Sequence, residues 1–172
     1  KDEVITVETS KGRYESRTVV IAAGKRSKEL GVPGEKEFRN KGLTYCATCD
    51  GPLFAGKDVA VIGGGNSALD AALQLVRIAR HVTVVNINVA LTADAVMQEK
   101  INSSPNATVR NDSRVTTIIG DKMVSGLTIT TTNNKAEFIP AQGIFVEIGL
   151  VPSSEFIPDV AKNRQGEIMV NC

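Results

Sequence analysis

DVAVIGGGNSALDAALQL, residues 58–75, decides the fold. Asp58 to Ile62 is a β-branched, apolar run, the composition of a strand buried on both faces. Glycines at 63, 64 and 65 stop it. From Asn66 to Ala79 the small and apolar residues Ala68, Ala71, Ala72, Leu75 and Ile78 recur at helical spacing, which predicts a helix. HVTVV, residues 81–85, returns to strand. Strand, helix and strand within about 30 residues make a βαβ unit, and such units build parallel sheets with right-handed crossovers.

The glycines sit where that unit turns from strand to helix. Their pattern is G63-x-G65-x-x-A68. The first glycine permits the tight turn, the second lets backbone approach a pyrophosphate, and the small third residue lets helix pack on strand. A helix N-terminus at Asn66, Ser67 and Ala68 then offers unpaired N–H groups and partial positive charge to phosphates. Strand, turn and helix all occur in register, so Gly63, Gly64, Gly65, Asn66, Ser67 and Ala68 are candidate dinucleotide contacts. The motif expects an acid about 20 residues on to hold a ribose hydroxyl. Counting leads to Asn86, followed by Ile87 and Asn88, all uncharged. Asn86 can still hydrogen-bond a ribose hydroxyl, so it joins the candidates, and NAD and NADP both stay open.

Upstream lies YCATCDG, residues 45–51. Structural zinc needs four ligands, and besides Cys46 and Cys49 the chain offers only the distant Cys172 and one histidine, His81. No metal site is expected. A thiol two residues from another has a lowered pKa and can exchange with disulfides, so a redox pair is favoured over an inert one. Asp50, directly behind, can move protons during that exchange, or simply turn the chain before Gly51. CxxC suggests a thioredoxin-like fold when it opens a helix near a proline. Here it precedes a dinucleotide unit, a context that suggests a flavoprotein disulfide reductase.

The remaining elements follow from the same patterns. Val4 to Thr9 alternates like a half-buried strand, with a turn at Lys11 and Gly12. TVVIAA, residues 18–23, reads as a buried strand. LGVPGE, residues 30–35, reads as a loop or linker. Residues 92–101 are predicted helical. Short strands are predicted over 107–110, 115–119, 124–132 and 136–139, an antiparallel meander, and a last buried strand over 143–149. The fold class is therefore α/β: a Rossmann-like three-layer nucleotide-binding domain with a parallel sheet and an antiparallel β-meander.

Bulk properties bound the function. The chain has 172 residues with 42% hydrophobic and 23% charged content, ordinary for a globular domain. A net charge of +1 and 4% aromatic content give no footprint for nucleic acid or an anionic membrane. No apolar run approaches the roughly 20 residues of a membrane-spanning helix. An odd count of 3 cysteines suits a reducing cytoplasm better than a secreted disulfide framework. Both ends read as cut, which suggests a fragment.

Taken together, YCATCDGPLFAGKDVAVIGGGNSALDAALQL resembles the thioredoxin reductase family of low-molecular-weight, FAD- and NAD(P)-dependent disulfide reductases. It is equally similar to the flavoprotein component of alkyl hydroperoxide reductase. TVVIAAG at 18–24, GVPGE at 31–35, GIFVEIGLVPSS at 143–154 with its turn at Gly149 and Pro152, and NRQGEIMVN at 163–171 extend the resemblance over almost the whole chain. It implies that residues 1–25 end a first FAD-domain segment, 26–148 form the NAD(P)-binding domain with the CxxC pair, and 149–172 begin a second FAD segment. It implies thioredoxin-disulfide reductase activity in the whole protein. Electrons would pass from NADP or NAD in its reduced form to FAD, then to Cys46–Cys49, then to a thioredoxin-like protein. Cys49 would face the flavin, Cys46 would attack the partner's disulfide, Asp50 would be the acid–base group, and Gly149 would join the cofactor contacts. The same resemblance implies a homodimer when full length. Peroxiredoxin as partner, a ferredoxin-type electron donor and a non-catalytic dinucleotide-binding module are the alternatives. The family's FAD glycine motif is absent, so this fragment alone is expected to be inactive. Its NADP-type members carry His-Arg-Arg where this chain has Asn86, Ile87 and Asn88, and the peroxide-reductase branch carries an acid at position 86.

Overall fold

The computed structural model describes residues 4–170, so Cys172 lies outside the described residues. The chain divides into two compact units. One comprises Ser27–Leu150 and the other the two flanking stretches, up to Arg26 and from Val151.

The larger unit is built on a five-stranded parallel sheet. Its strands are β4 (Leu43–Thr44), β5 (Asp58–Ile62), β6 (His81–Val85), β7 (Ala107–Arg110) and β11 (Gly143–Val146), in the order β4-β11-β5-β6-β7. Four short helices accompany it: α1 (Glu35–Phe38), α2 (Ala47–Asp50), α3 (Asn66–Leu75) and α4 (Ala95–Asn102). A three-stranded antiparallel sheet of β8 (Ser113–Gly120), β9 (Val124–Thr131) and β10 (Ala136–Pro140) is the meander, with β9 in the middle.

Alternation along the parallel strands explains the layering. Successive side chains point to opposite faces. Val59, Val61, Val82, Val84 and Phe145 pack with Ala68, Leu69, Ala71, Ala72 and Leu75 of α3 in one cluster. Ala60, Ile62, Ile144 and Val146 pack with Val115, Ile118, Leu127, Ile129 and Ile139 of the meander in the other. The parallel sheet is apolar on both faces because both are covered. The three-layer architecture read from the sequence is the one observed.

Several elements differ from the sequence reading: Ala107–Arg110 joins the parallel sheet through β6 rather than the meander, and the helix expected over 92–101 spans Ala95–Asn102. The helix after the glycines ends at Leu75, not Ala79. Its last carbonyls are met by turn hydrogen bonds, Ala79 N to Leu75 O at 2.7 Å, and the Asn106 amide donates to Val76 O at 2.9 Å and Ala79 O at 3.3 Å. The long helix-like spacing 66–79 thus covers a helix and its capped exit. The last strand of the sheet ends at Val146 rather than Gly149.

In the smaller unit, β1 (Ile5–Thr9) and β2 (Gly12–Ser16) form an antiparallel hairpin. At the chain positions where the division falls, β3 (Lys25–Ser27) and β12 (Leu150–Pro152) form another two-stranded sheet. The expected buried strand over 18–23 is not formed: this segment has no regular structure, and Val20 is 91% exposed. An apolar run becomes a strand only with a neighbour to share its backbone hydrogen bonds, and no strand pairs with it among the described residues.

Candidate functional site

The strand order reverses between β5 and β11, and the crevice beyond the carboxyl ends of strands at such a point is where doubly wound folds take ligands. A cleft of about 540 Å³ lies there. It is lined by the glycine turn after β5, by residues 85–88 after β6, and by Glu147–Gly149 after β11.

Each glycine of the turn has its own reason. Gly63 has φ 136°, and a Cβ there would lie 2.3 Å from Glu147 O and 2.9 Å from Ala68 Cβ. A Cβ at Gly64 would lie 2.3 Å from Asn86 Oδ1. The fold itself therefore needs both, and Ala68, fully buried, must be small to accept Gly63. Gly65 is different. A Cβ there would meet only Thr92 Oγ1, at 3.8 Å, and its φ is −92°. Nothing in the protein requires glycine at 65, while the close approach of a pyrophosphate does. No side chain caps α3, so its first N–H groups have no protein partner of that kind and face the cleft. The residues present fit a dinucleotide phosphate.

Asn66 and Ser67 are exposed at this edge. The Asn66 side chain serves the scaffold: its Oδ1 accepts from Asp94 N at 2.8 Å and its Nδ2 donates to Asp94 Oδ2 at 3.2 Å, fastening the start of α4. Thr92 and Ala93 donate their backbone N–H groups to Gly64 O, at 2.8 and 3.1 Å, and hold the glycine turn from outside. Sequence reasoning missed this buttress, because no local pattern links residue 92 to residue 64. Gly149, with φ 101°, lines the cleft's other side, and its carbonyl accepts Lys28 N at 3.0 Å.

Asn86 is 1% exposed, and both amide hydrogens are used within the protein. Nδ2 donates to Asn88 O at 3.1 Å and to Asn111 Oδ1 at 2.8 Å, while Oδ1 accepts from Asn88 N at 3.2 Å. The amide hydrogens are therefore spent on the loop, and Oδ1, which accepts one bond, is the atom left to meet a ribose hydroxyl in the cleft that Asn86 lines. Glu147 is the unforeseen group: burial foremost, then the nearby charge of Asp70, raises its pKa above the ordinary carboxylate value.

Cys46 and Cys49 are joined by a disulfide, with Cα atoms 5.3 Å apart. Cys46 caps α2, and its Sγ accepts the Cys49 backbone N–H at 3.2 Å. Cys49 is exposed and Cys46 half-buried. Thr44, buried on β4, ties the loop together: its hydroxyl donates to Asp50 Oδ2 and accepts Cys46 N–H at 3.3 Å. Thr48 donates to Gln74 Oε1 at 3.1 Å, and Gln74 donates to Asp70 Oδ2 at 2.8 Å, which lashes the disulfide loop to α3. Behind Asp50 a 3₁₀ turn, Gly51–Phe54, drives Phe54 into the core, edge-on to Phe145 with ring centres 5.3 Å apart.

Next to the disulfide, Tyr45 donates its hydroxyl to Glu35 at 2.8 Å. Glu35 is 2% exposed and also accepts Leu30 N at 2.6 Å and Gly31 N at 2.7 Å. Burial, then this bond to a carboxylate, pushes the Tyr45 pKa far up, so it remains a phenol donor. Sequence reading marked Leu30–Glu35 only as a linker and missed the clasp.

Disulfide loop and glycine cradle thus stand on one unit, at the two ends of α3. A family described as pyridine nucleotide-disulphide oxidoreductase matches residues 1–172. The chain belongs to this family. Its oxidoreductase relatives include an NADH dehydrogenase from Bacillus subtilis, 45% identical over 99% of this chain and 34% of that protein. An alkyl hydroperoxide reductase component of Staphylococcus epidermidis is 43% identical over 91% of this chain and 31% of that protein. Among solved structures, a thioredoxin reductase from T. acidophilum superposes with TM-score 0.86 at 35% identity, covering 96% of this chain and 56% of that one. The chain spans about one third of the length of the curated relatives it matches. Among the described residues, no helix is long and apolar enough to cross a membrane.

Proposed function

We propose that this chain is the nucleotide-binding and disulfide-bearing part of a longer flavoenzyme that reduces a thioredoxin-like protein or a peroxiredoxin. The observation that carries the reading is the Cys46–Cys49 disulfide, anchored to α3 on the same unit whose glycine turn opens α3. Names of relatives support both partners: one is a thioredoxin reductase, another a component of an alkyl hydroperoxide reductase. Residues 1–25 and 149–172 belong, in this reading, to a FAD domain, and 26–148 to the NAD(P) domain. Exposure of the apolar run 18–23 supports that, since its sheet neighbours would come from the rest of the FAD domain.

FAD, when bound by the whole protein, supplies the relay that takes an electron pair from reduced nicotinamide and delivers it to sulfur. Backbone N–H groups at Gly65, Asn66 and Ser67 hold the pyrophosphate. The Cys46–Cys49 bond breaks on receiving two electrons; one sulfur takes a proton and the other stays a thiolate. Asp50, held by the Thr44 hydroxyl, is placed to hold or deliver that proton. Cys49, the exposed one of the pair, would be the sulfur that takes the electron pair when FAD is bound. Cys46 has its sulfur supported by the Cys49 N–H, which favours its thiolate. That thiolate attacks the partner's disulfide, and Cys49 resolves the mixed disulfide, restoring the Cys46–Cys49 bond while the partner leaves as dithiol.

In the full-length protein, Cys46→Ser should abolish reduction of the protein disulfide and leave bleaching of the flavin by NAD(P)H intact, read by its absorbance. Survival of partner reduction would show that electrons leave by another route.

A further inference from the structure

Among the residues lining the dinucleotide cleft only Arg114 and Glu147 carry formal charge, and they stand at opposite ends. Glu147 follows β11 and Arg114 lies by the end of β6, two strand positions away, so roughly 10 Å separates the two backbones. In a doubly wound fold the pyrophosphate sits at the glycine turn and the adenosine ribose lies against the end of the second strand, here β6.

The chain entering β8 is laid along that strand end. Asp112 N donates to Asn88 O at 2.8 Å and Ser113 N to Asn86 O at 2.9 Å. Arg114 is the next residue. It is exposed, lines the cleft, and makes no ion pair among the described residues. Asp112, the acid on the same stretch, is occupied by the Thr132 hydroxyl. Asn86 has its amide spent on Asn88 and Asn111 and brings no charge. The ribose end of the cleft therefore offers no acid to hold a vicinal diol or to repel a phosphate, and one unpaired guanidinium.

We propose that Arg114 is the specificity-determining residue of the cleft: its guanidinium receives the 2′-phosphate of NADPH, from a strand that the glycine motif does not include. This rests on the dinucleotide reading above. A guanidinium matches a phosphate with paired charge-assisted hydrogen bonds. At the other end, the Glu147 carboxylate opposes the same orientation being reversed, since a phosphate there would meet like charge.

The test measures dissociation constants of NADPH and NADH for the 172-residue chain by nicotinamide fluorescence and calorimetry. Adenosine 2′,5′-bisphosphate and adenosine 5′-diphosphate serve as competitors. NADPH is expected to bind about tenfold tighter than NADH at low salt, one charge-assisted contact's worth, with the ratio shrinking as salt rises. Arg114→Gln should remove the preference by weakening NADPH and the 2′,5′-bisphosphate about tenfold, with NADH changed less than about twofold. Arg114→Lys should keep part of it. Tighter NADH binding by the wild-type chain, or equal weakening of both by Arg114→Gln, would overturn the assignment and leave the dinucleotide reading standing. Binding of neither nucleotide at millimolar concentration would overturn both. Should Arg114→Gln fail to fold, the wild-type ratio and the Arg114→Lys ratio decide.

Discussion

Single residues separate what the fold needs from what a ligand needs. Gly63 and Gly65 look alike in sequence, yet an added Cβ clashes with backbone at 63 and meets only Thr92 Oγ1, at 3.8 Å, at 65. Gly63→Ala should lose several kcal/mol of stability, about 1–3 from the positive φ and a similar amount from overpacking. Gly65→Ala should unfold at nearly the wild-type midpoint and bind a dinucleotide about tenfold or more weakly. Denaturant titration beside a nucleotide titration checks both, and equal destabilisation of the two variants would refute the distinction. The pattern G63-x-G65-x-x-A68 was legible because each position has a mechanical role. Glu147 was not, since its raised pKa arises from burial and from Asp70, 77 residues away in sequence (147 − 70). A carboxyl whose folded pKa lies above its unfolded value stabilises the fold at low pH, and that contribution is lost as pH rises through the folded value. Glu147→Gln should therefore melt higher than wild type at pH 8, with the gap closing by about pH 4, near the unperturbed Glu value. A gap that grows on acidification would reverse the sign assigned to Glu147.

At the scale of elements, periodicity located the strands and helices but not their ends. Ile78 continues the helical spacing of Ala71 and Leu75, yet α3 stops at Leu75. What stops it is Asn106, which reaches back from the turn before β7 to the carbonyls of Val76 and Ala79. No window of sequence joins residue 106 to residue 76, so the stop signal is tertiary. Asn106→Ala leaves two carbonyls without that donor and should cost about 1–3 kcal/mol. Asn106→Asp, which offers no amide donor, should cost at least as much, and a midpoint within error of wild type would deny Asn106 this role. The segment 18–23 shows the opposite failure. Its β-branched composition is that of a strand, but composition only makes a strand available, and a neighbour must complete it. The disulfide loop sits between these cases. The CxxC spacing and Asp50 were plain, whereas Thr44, which binds Asp50 and Cys46 together, belongs to a two-residue strand with no signature of its own.

For the whole chain, the distribution of buried residues says where stability resides. Both apolar clusters draw every buried member from between Phe38 and Val146, inside the Ser27–Leu150 unit. The described residues of the flanking stretches contribute none, and Val20, Phe156 and Val170 are at least 70% exposed. Cooperative unfolding follows the packed core. A chain trimmed to residues 27–150 should thus unfold in one cooperative transition, with a melting temperature within about 4–8 °C of the 172-residue chain, the shift that about 1 kcal/mol makes in a domain near 100 residues. It should also bind a dinucleotide as tightly, because the glycine turn, Arg114, Glu147 and Gly149 all lie within it. Calorimetry and nucleotide titration on the two chains make the comparison. A trimmed chain that melts broadly, or that keeps its transition but loses the nucleotide, would mean that the flanking stretches shape the cleft, and the division of labour assigned to the two units would fail.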